Sequence, residues 1–269
     1  MTVYLVGAGP GDPELITVKG ARLLGGAEVL VHDRLVSPKL LEMVPDSCEV
    51  ISAAKRPRQP TMTQDEINAL LVERGQAGQN VVRLKGGDPC VFARGGEEAA
   101  ALAQAGVAFE IIPGITSAIG VPAYAGIPVT LRHKSLSLTV VTGHEDPASG
   151  NVVDWQAVAR VGGTVVVLMG AARAAGISQQ LRHGGLPDDT PAAWVHWGTT
   201  ENQEVWRGAL RDLGSDTVPS PSVLVIGHVA GVDLGWFAQE FGETTESSGS
   251  DSDAAVRLDD AQPAASAVL

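Results

Sequence analysis

The chain has 269 residues, 44% apolar and 19% charged, with 31 acidic against 19 basic side chains and a formal net charge of −12. That length buries a full-sized core in one or two domains without help from disulfides or structural metals. The acidic balance disfavours nucleic acid as a partner, because phosphate binding requires clustered Lys and Arg. Cys48 and Cys90 lack C-x-x-C spacing, which points to a reducing compartment. The opening MTVYLVGAGPGD has no basic n-region, and the longest apolar run (164–172) is too short for a membrane helix. The expectation is a cytoplasmic protein that does not engage membranes.

Taken in chain order, the first half predicts five strands at 3–8, 27–32, 48–53, 80–85 and 108–113, each apolar on both faces and bounded by Gly, Pro or Asp. Helical segments lie between them. In 63–75, Thr63 and Glu66 form a capping box, and Ile67, Leu70 and Leu71 share one stripe. A second helix spans 95–105, with Glu97 and Glu98 in its first turn and Gly106 as its stop. After a small-residue segment (114–126), strands are predicted at 137–143, 163–169, 192–198, 203–208 and 222–228, with a helix at 171–183. The fold class is α/β: two α/β domains, 1–113 and 114–242, with mostly parallel or mixed sheets. Residues 243–269 carry six acids, one Arg and no aromatic residue, too little apolar surface to offset ordering entropy, so a disordered tail is expected.

The first strand ends in Gly7-Ala8-Gly9-Pro10-Gly11-Asp12 and the second in His32-Asp33, which together imitate a dinucleotide-binding fold. That reading fails on chemistry. A pyrophosphate sits on free N–H groups at a helix start, yet Pro10 has none, and Pro13 delays the helix to about Thr17. A second loop, Gly86-Gly87-Asp88-Pro89, follows the fourth strand. Its glycines permit close approach to a ligand, and Asp88 offers acceptors to an ammonium or a hydroxyl. Were strands one and four neighbours, both loops would open on one carboxyl edge, where such sheets bind ligands. The six histidines are scattered without metal-ligand spacing, so no metal is expected. Trp194, Trp197 and Trp206 read as core or pocket wall.

The motifs VGAGPGDPELIT (6–17), HDRLVS (32–37), KR (55–56), RLKGGDP (83–89), RGGEE (94–98), PGITSA (113–118), GIPVT (126–130), VTGH (141–144) and the pair Met169-Gly170 form a specific set. In these the chain resembles the uroporphyrinogen-III C-methyltransferases, within the tetrapyrrole methylases that use S-adenosylmethionine. The resemblance implies a two-domain, usually dimeric α/β enzyme holding its methyl donor between the domains. It would methylate two ring carbons of uroporphyrinogen III to give precorrin-2, for sirohaem or cobalamin synthesis. It places Pro10, Gly86, Gly87, Asp88, Val91, Thr116, Ser117, Met169 and Gly198 around the donor, Asp33 as proton acceptor and Lys55 as proton donor. Three positions depart from the family pattern: Ala54 before Lys55, Cys90 after the G-G-D-P turn, and Trp197 before Gly198.

A substrate with eight carboxylates requires local cations. The net charge does not forbid them, because screening beyond about 8–10 Å isolates a cleft from distant surface. The candidates, from loops near the active edge, are Arg34, Arg56, Arg58, Arg94, Arg132 and His133; arginine's planar fork suits carboxylates. The competing readings are a sibling methylase acting on a later corrinoid, an RNA methylase, and a non-enzymatic binding module.

Overall fold

Ten short strands divide into two sheets because the apolar runs of each half find partners within that half. The computed structural model describes residues 2–53, 62–144 and 152–236; Lys55, Arg56, Arg58 and the acidic segment 243–269 lie outside the described residues. The first sheet comprises β1 (Val3–Gly7), β2 (Val29–His32), β3 (Glu49–Ser52), β4 (Val81–Lys85) and β5 (Phe109–Ile112), in the order β3-β2-β4-β1-β5. Every pairing in it is parallel. β1 and β4 are therefore neighbours, and their carboxyl-terminal loops open on the same edge.

The connections of this sheet follow local signals. Thr17 caps α1 (Val18–Leu24) by accepting from the Gly20 N–H, which confirms a helix start well beyond the glycines. A short α2 (Pro38–Leu41) links β2 to β3. The capping box of Thr63 and Glu66 is formed at the head of α3 (Gln64–Gln76), and α4 (Gly95–Gln104) precedes Gly106, whose φ is +67°. Alternation along β4 sends Val81 into the core beneath α3 and α4, while Val82 and Leu84 pack under α1 and α2.

The second sheet comprises β6 (Leu138–Thr142), β7 (Thr164–Leu168), β8 (Pro191–His196), β9 (Glu204–Ala209) and β10 (Ser222–Ile226), in the order β6-β7-β10-β8-β9. Only β6 and β7 run parallel; β7–β10, β10–β8 and β8–β9 are antiparallel. The link from β8 to β9 is too short for a crossover helix, so a return strand is the outcome. Trp194 and Trp206 stack across that pair, 6.4 Å apart at 8°, at the edge of the core.

Three helices accompany this sheet: α5 (Ser117–Tyr124), α6 (Trp155–Val161) and α7 (Ala174–His183). The helix expected at 171–183 opens instead as a 3-10 turn, Ala171–Arg173, before continuing as α7. The small-residue segment is α5, a helix the periodicity does not announce. Ala118, Val121 and Ala125 of α5 pack on the second sheet, and Val91, from the loop after β4, packs against the same cluster. α5 is thus the element on which loops from both sheets meet. No helix among the described residues is long and apolar enough to cross a membrane.

Candidate ligand site at the head of helix α5

Three backbone segments close over one another at the carboxyl edge of the first sheet. Gly9 and Gly87 exchange hydrogen bonds, Gly9 N–H to Gly87 O at 3.2 Å and Gly87 N–H to Gly9 O at 2.8 Å. A methyl group on Gly114 would lie 2.3 Å from Gly87 O and 2.7 Å from Gly7 Cα. Since those obstacles are backbone, side-chain rearrangement cannot relieve the clash; glycine is required by space. Asp88 locks the arrangement, accepting from Gly114 N–H at 3.0 Å through Oδ2 and from Cys90 N–H at 2.7 Å through Oδ1. Gly86 is the exception, because a Cβ built there meets nothing within 4 Å. It faces open space, as a ligand-facing glycine should.

The loops then converge on α5. Thr116 caps the helix by accepting from Ala118 N–H, and Gly87 lies 3.6–3.7 Å from Ser117 N and Thr116 Cα, measured from an added Cβ. Pro10 packs on Gly120, whose Cβ would come within 2.9 Å of its ring. Gly198 packs on Val121, where a Cβ would lie 2.4 Å from Cγ1. Met169 follows Leu168, itself in the cluster under α5. The structure thus brings Pro10, Gly87, Val91 and Gly198 against one helix, which Thr116 and Ser117 open. Met169, Trp197 and Thr199 all have positive φ (55°, 43° and 67°). Such backbone costs about 1–3 kcal/mol per residue and concentrates at ligand sites.

The loop that imitates a phosphate cradle has a different role. Tyr124 at the end of α5 donates its hydroxyl to Asp12 Oδ2 at 2.7 Å, and Asp12 N–H donates to Thr199 Oγ1 at 3.1 Å. Asp12 Oδ1 accepts from Glu14 N–H at 2.8 Å. Thr199 N–H donates to Gln203 Oε1, whose amide donates to Tyr124 O. Gly11-Asp12 is therefore a clasp tying the first sheet's loop to α5 and to the β8–β9 turn. Replacing Tyr124 with Phe removes one hydrogen bond to a carboxylate, and unfolding measurements should show a loss of about 1.5–3 kcal/mol. Stability within error of the parent would refute the clasp.

Beneath the loops lies a buried ionic cluster that the motif reading left without a role. Arg83 and Lys85, two apart on β4, point to the α3/α4 side and are 2% and 1% exposed. Glu98 on α4 is wholly buried, and its Oε1 accepts from Lys85 Nζ at 2.7 Å, Arg83 Nε at 3.1 Å and Gln64 Nε2 at 3.3 Å. Its Oε2 takes no hydrogen bond among the described residues. Arg83 Nη2 reaches Asp33 Oδ1 at 2.5 Å. Burial, reinforced by the neighbouring Arg83 charge, holds the Lys85 ammonium below the ordinary lysine pKa. The helix-start acid Glu98 is thus chiefly a counter-ion. Two cations at i and i+2 on a strand covered on both faces were the signal that a buried acid had to exist.

Among the other expected residues, Arg34 and Arg132 are exposed and form no ion pair among the described residues, whereas Arg94 is held in a two-point contact by Glu97. A cavity of about 200 Å³, lined by Tyr4, Arg22 and Asn80 among others, lies at the amino ends of the first sheet's strands, away from these loops. No group of three or more His, Cys, Asp or Glu side chains among the described residues could hold a metal ion.

A parallel and a mixed sheet, whose glycine loops crowd one helix, define an α/β protein with its candidate ligand site where the loops of both sheets meet. The chain belongs to the tetrapyrrole (corrin/porphyrin) methylases, whose family model matches residues 2–214. It is 48% identical over 232 residues, 84% of this chain and 91% of the relative, to an S-adenosyl-L-methionine-dependent uroporphyrinogen III methyltransferase of Methanosarcina barkeri. A sirohaem synthase of Chromobacterium violaceum is 46% identical over 87% of this chain, which spans only 51% of that protein. Uroporphyrin-III C-methyltransferase of Thermus thermophilus, solved with S-adenosyl homocysteine, superposes with a TM-score of 0.74 at 38% identity, covering 85% of this chain and 98% of that one. A cobalt-precorrin-4 methyltransferase gives a TM-score of 0.76 at only 26% identity, covering 85% of this chain and 95% of that one. The backbone fold therefore does not separate the two substrates, while sequence identity favours the first.

Proposed function

We propose that this protein methylates uroporphyrinogen III at two ring carbons, with S-adenosylmethionine as donor, to give precorrin-2 for sirohaem or cobalamin synthesis. The observation that carries the reading is the gathering of Pro10, Gly87, Val91 and Gly198 on α5, which Thr116 and Ser117 open, in a chain 48% identical to a uroporphyrinogen III methyltransferase.

S-adenosylmethionine supplies an activated methyl as a sulfonium and carries no phosphate. The residues present suit it: Pro10 offers no N–H for a phosphate, and the bare backbone of Gly86 leaves room for close approach. Held between the domains 1–113 and 114–242, the donor would meet the first sheet's loops on one side and Met169 and Gly198 on the other. Alignment of the transferring methyl with a ring carbon supplies most of the acceleration in such a displacement. Asp33, at the end of β2, stabilises the positive charge that develops on the ring and accepts a proton as conjugation rearranges. Lys55 acts as the proton donor. Arg34 and Arg132, with Arg56, meet the substrate's carboxylates. The active form is a homodimer in the cytoplasm.

Anaerobic incubation with methyl-labelled S-adenosylmethionine and uroporphyrinogen III tests the reading. Label should enter the tetrapyrrole, and the absorbance of the dimethylated product should appear. Transfer to a methylated corrinoid but not to uroporphyrinogen III would replace it with the sibling reading.

A further inference from the structure

Asp33 is held at one oxygen and open at the other. Its side chain is 35% exposed; Oδ1 is bound by Arg83, and Oδ2 takes no hydrogen bond among the described residues. The guanidinium that holds it is fixed at several points. Nε donates to Glu98 Oε1, and Nη1 makes long contacts of 3.5 and 3.4 Å to the carbonyls of Val31 and Leu84. Lys85 takes the same Glu98 oxygen from its other side.

Arg83, Lys85, Glu98 and Asp33 thus form a set of two cations and two anions, and three of the four are sealed from water. Such a set stabilises a fold poorly, because desolvation of the ions rivals their attraction, and apolar residues of similar volume do as well or better. The preceding residue on the same face of β4, Val81, is packed in just that apolar way. The strand turns from apolar to ionic only as it approaches the edge carrying the ligand loops. A rigid planar fork spanning a buried anchor and a half-exposed carboxylate sets the direction of that carboxylate, which a lysine's flexible point charge cannot do.

The geometry points to Arg83 as the positioning residue that aims Asp33 at the tetrapyrrole, with Glu98 and Lys85 bracing Arg83 from behind. This rests on the assignment of Asp33 made above. Arg83 touches neither substrate and acts through the carboxylate it holds.

The test is methyl-transfer kinetics with donor-binding calorimetry on Arg83→Lys, Arg83→Gln and Glu98→Gln, each alone and combined with Asp33→Ala. Aim lost by an ångström should lower kcat about 10- to 100-fold, while donor Kd and tetrapyrrole KM stay within about threefold. In the Asp33→Ala background the Arg83 substitutions should cost no more than about twofold further, because the group they aim is gone. Arg83→Lys keeps a charge beside Glu98 and carries the test should the Gln variants fail to fold. Wild-type kcat in Arg83→Lys and Arg83→Gln, or losses that multiply with that of Asp33→Ala, would overturn the inference and leave the methyltransferase reading intact. Full turnover in Asp33→Ala alone would instead overturn the assignment of Asp33, and this inference with it.

Discussion

Asp33→Ala is expected to lower turnover about 10²- to 10⁴-fold, the range for loss of a positioned proton-transfer group, while donor affinity stays close to that of the parent. The separation follows from where the residue sits. Asp33 closes β2, its N–H donating to Leu84 O, and its carboxylate turns toward Arg83. The loops proposed to hold the donor hang from β1 and β4 and are organised by Asp88, Gly114 and α5, none of which contacts Asp33 through a hydrogen bond. Stability should fall by about 1–3 kcal/mol, because Arg83 is sealed from water and would keep only Glu98, which it shares with Lys85. Asp33→Asn sharpens the result: it can still accept from Arg83 yet carries no charge. Turnover restored by Asn would assign Asp33 a positioning role. Equal losses of turnover and donor affinity in Asp33→Ala would make it a structural acid.

Gly114→Ala should be the most damaging single methyl group in the ligand loops. Its Cβ would fall 2.3 Å from Gly87 O and 2.7 Å from Gly7 Cα, so two loops must separate to admit it. A backbone-against-backbone clash of this kind costs about 3 kcal/mol or more. At about 2–4 °C per kcal/mol for a protein of this size, Tm should fall by roughly 6–12 °C. Donor affinity should fall as well, since the displaced loops are those proposed to face it. Gly86→Ala is the counterpart. Nothing lies within 4 Å of its added methyl and its φ is not positive, so Tm should stay unchanged. Calorimetry should nevertheless show donor affinity reduced at least about tenfold, because the methyl occupies space the ligand needs; a shift of that size is only about 1.4 kcal/mol. Parental donor affinity in Gly86→Ala would remove the donor from that loop.

The two sheets and the family were legible from local chemistry. β-branched runs bounded by Gly, Pro and Asp declare strands wherever they occur, and each of the ten lies within two residues of its expected limits. The capping box marked α3 for the same reason: both partners lie within four residues of each other. α5 was not legible, because Gly120 and Pro122 depress helix propensity inside it. What maintains it is distant: Pro10 on Gly120, Val121 against Gly198, and Arg207 donating to Ala125 O at its last turn. The clasp through Asp12, Tyr124 and Thr199 escaped notice likewise, since Asp12 stands more than a hundred residues from either partner.

Residue order alone carried the strand pattern, the rejection of a phosphate ligand through Pro10, and the motif set that marks a tetrapyrrole methylase. Those properties rest on single side chains and short spacings, which a chain expresses before it folds. The return direction of β9 and β10, the placement of α5 under both sets of loops, and the bracing of Asp33 by Arg83 and Glu98 arise only when remote segments share a low-dielectric interior. There a charge must find its counter-ion and a glycine its neighbour's backbone, and neither partner is named by what stands beside it in the chain.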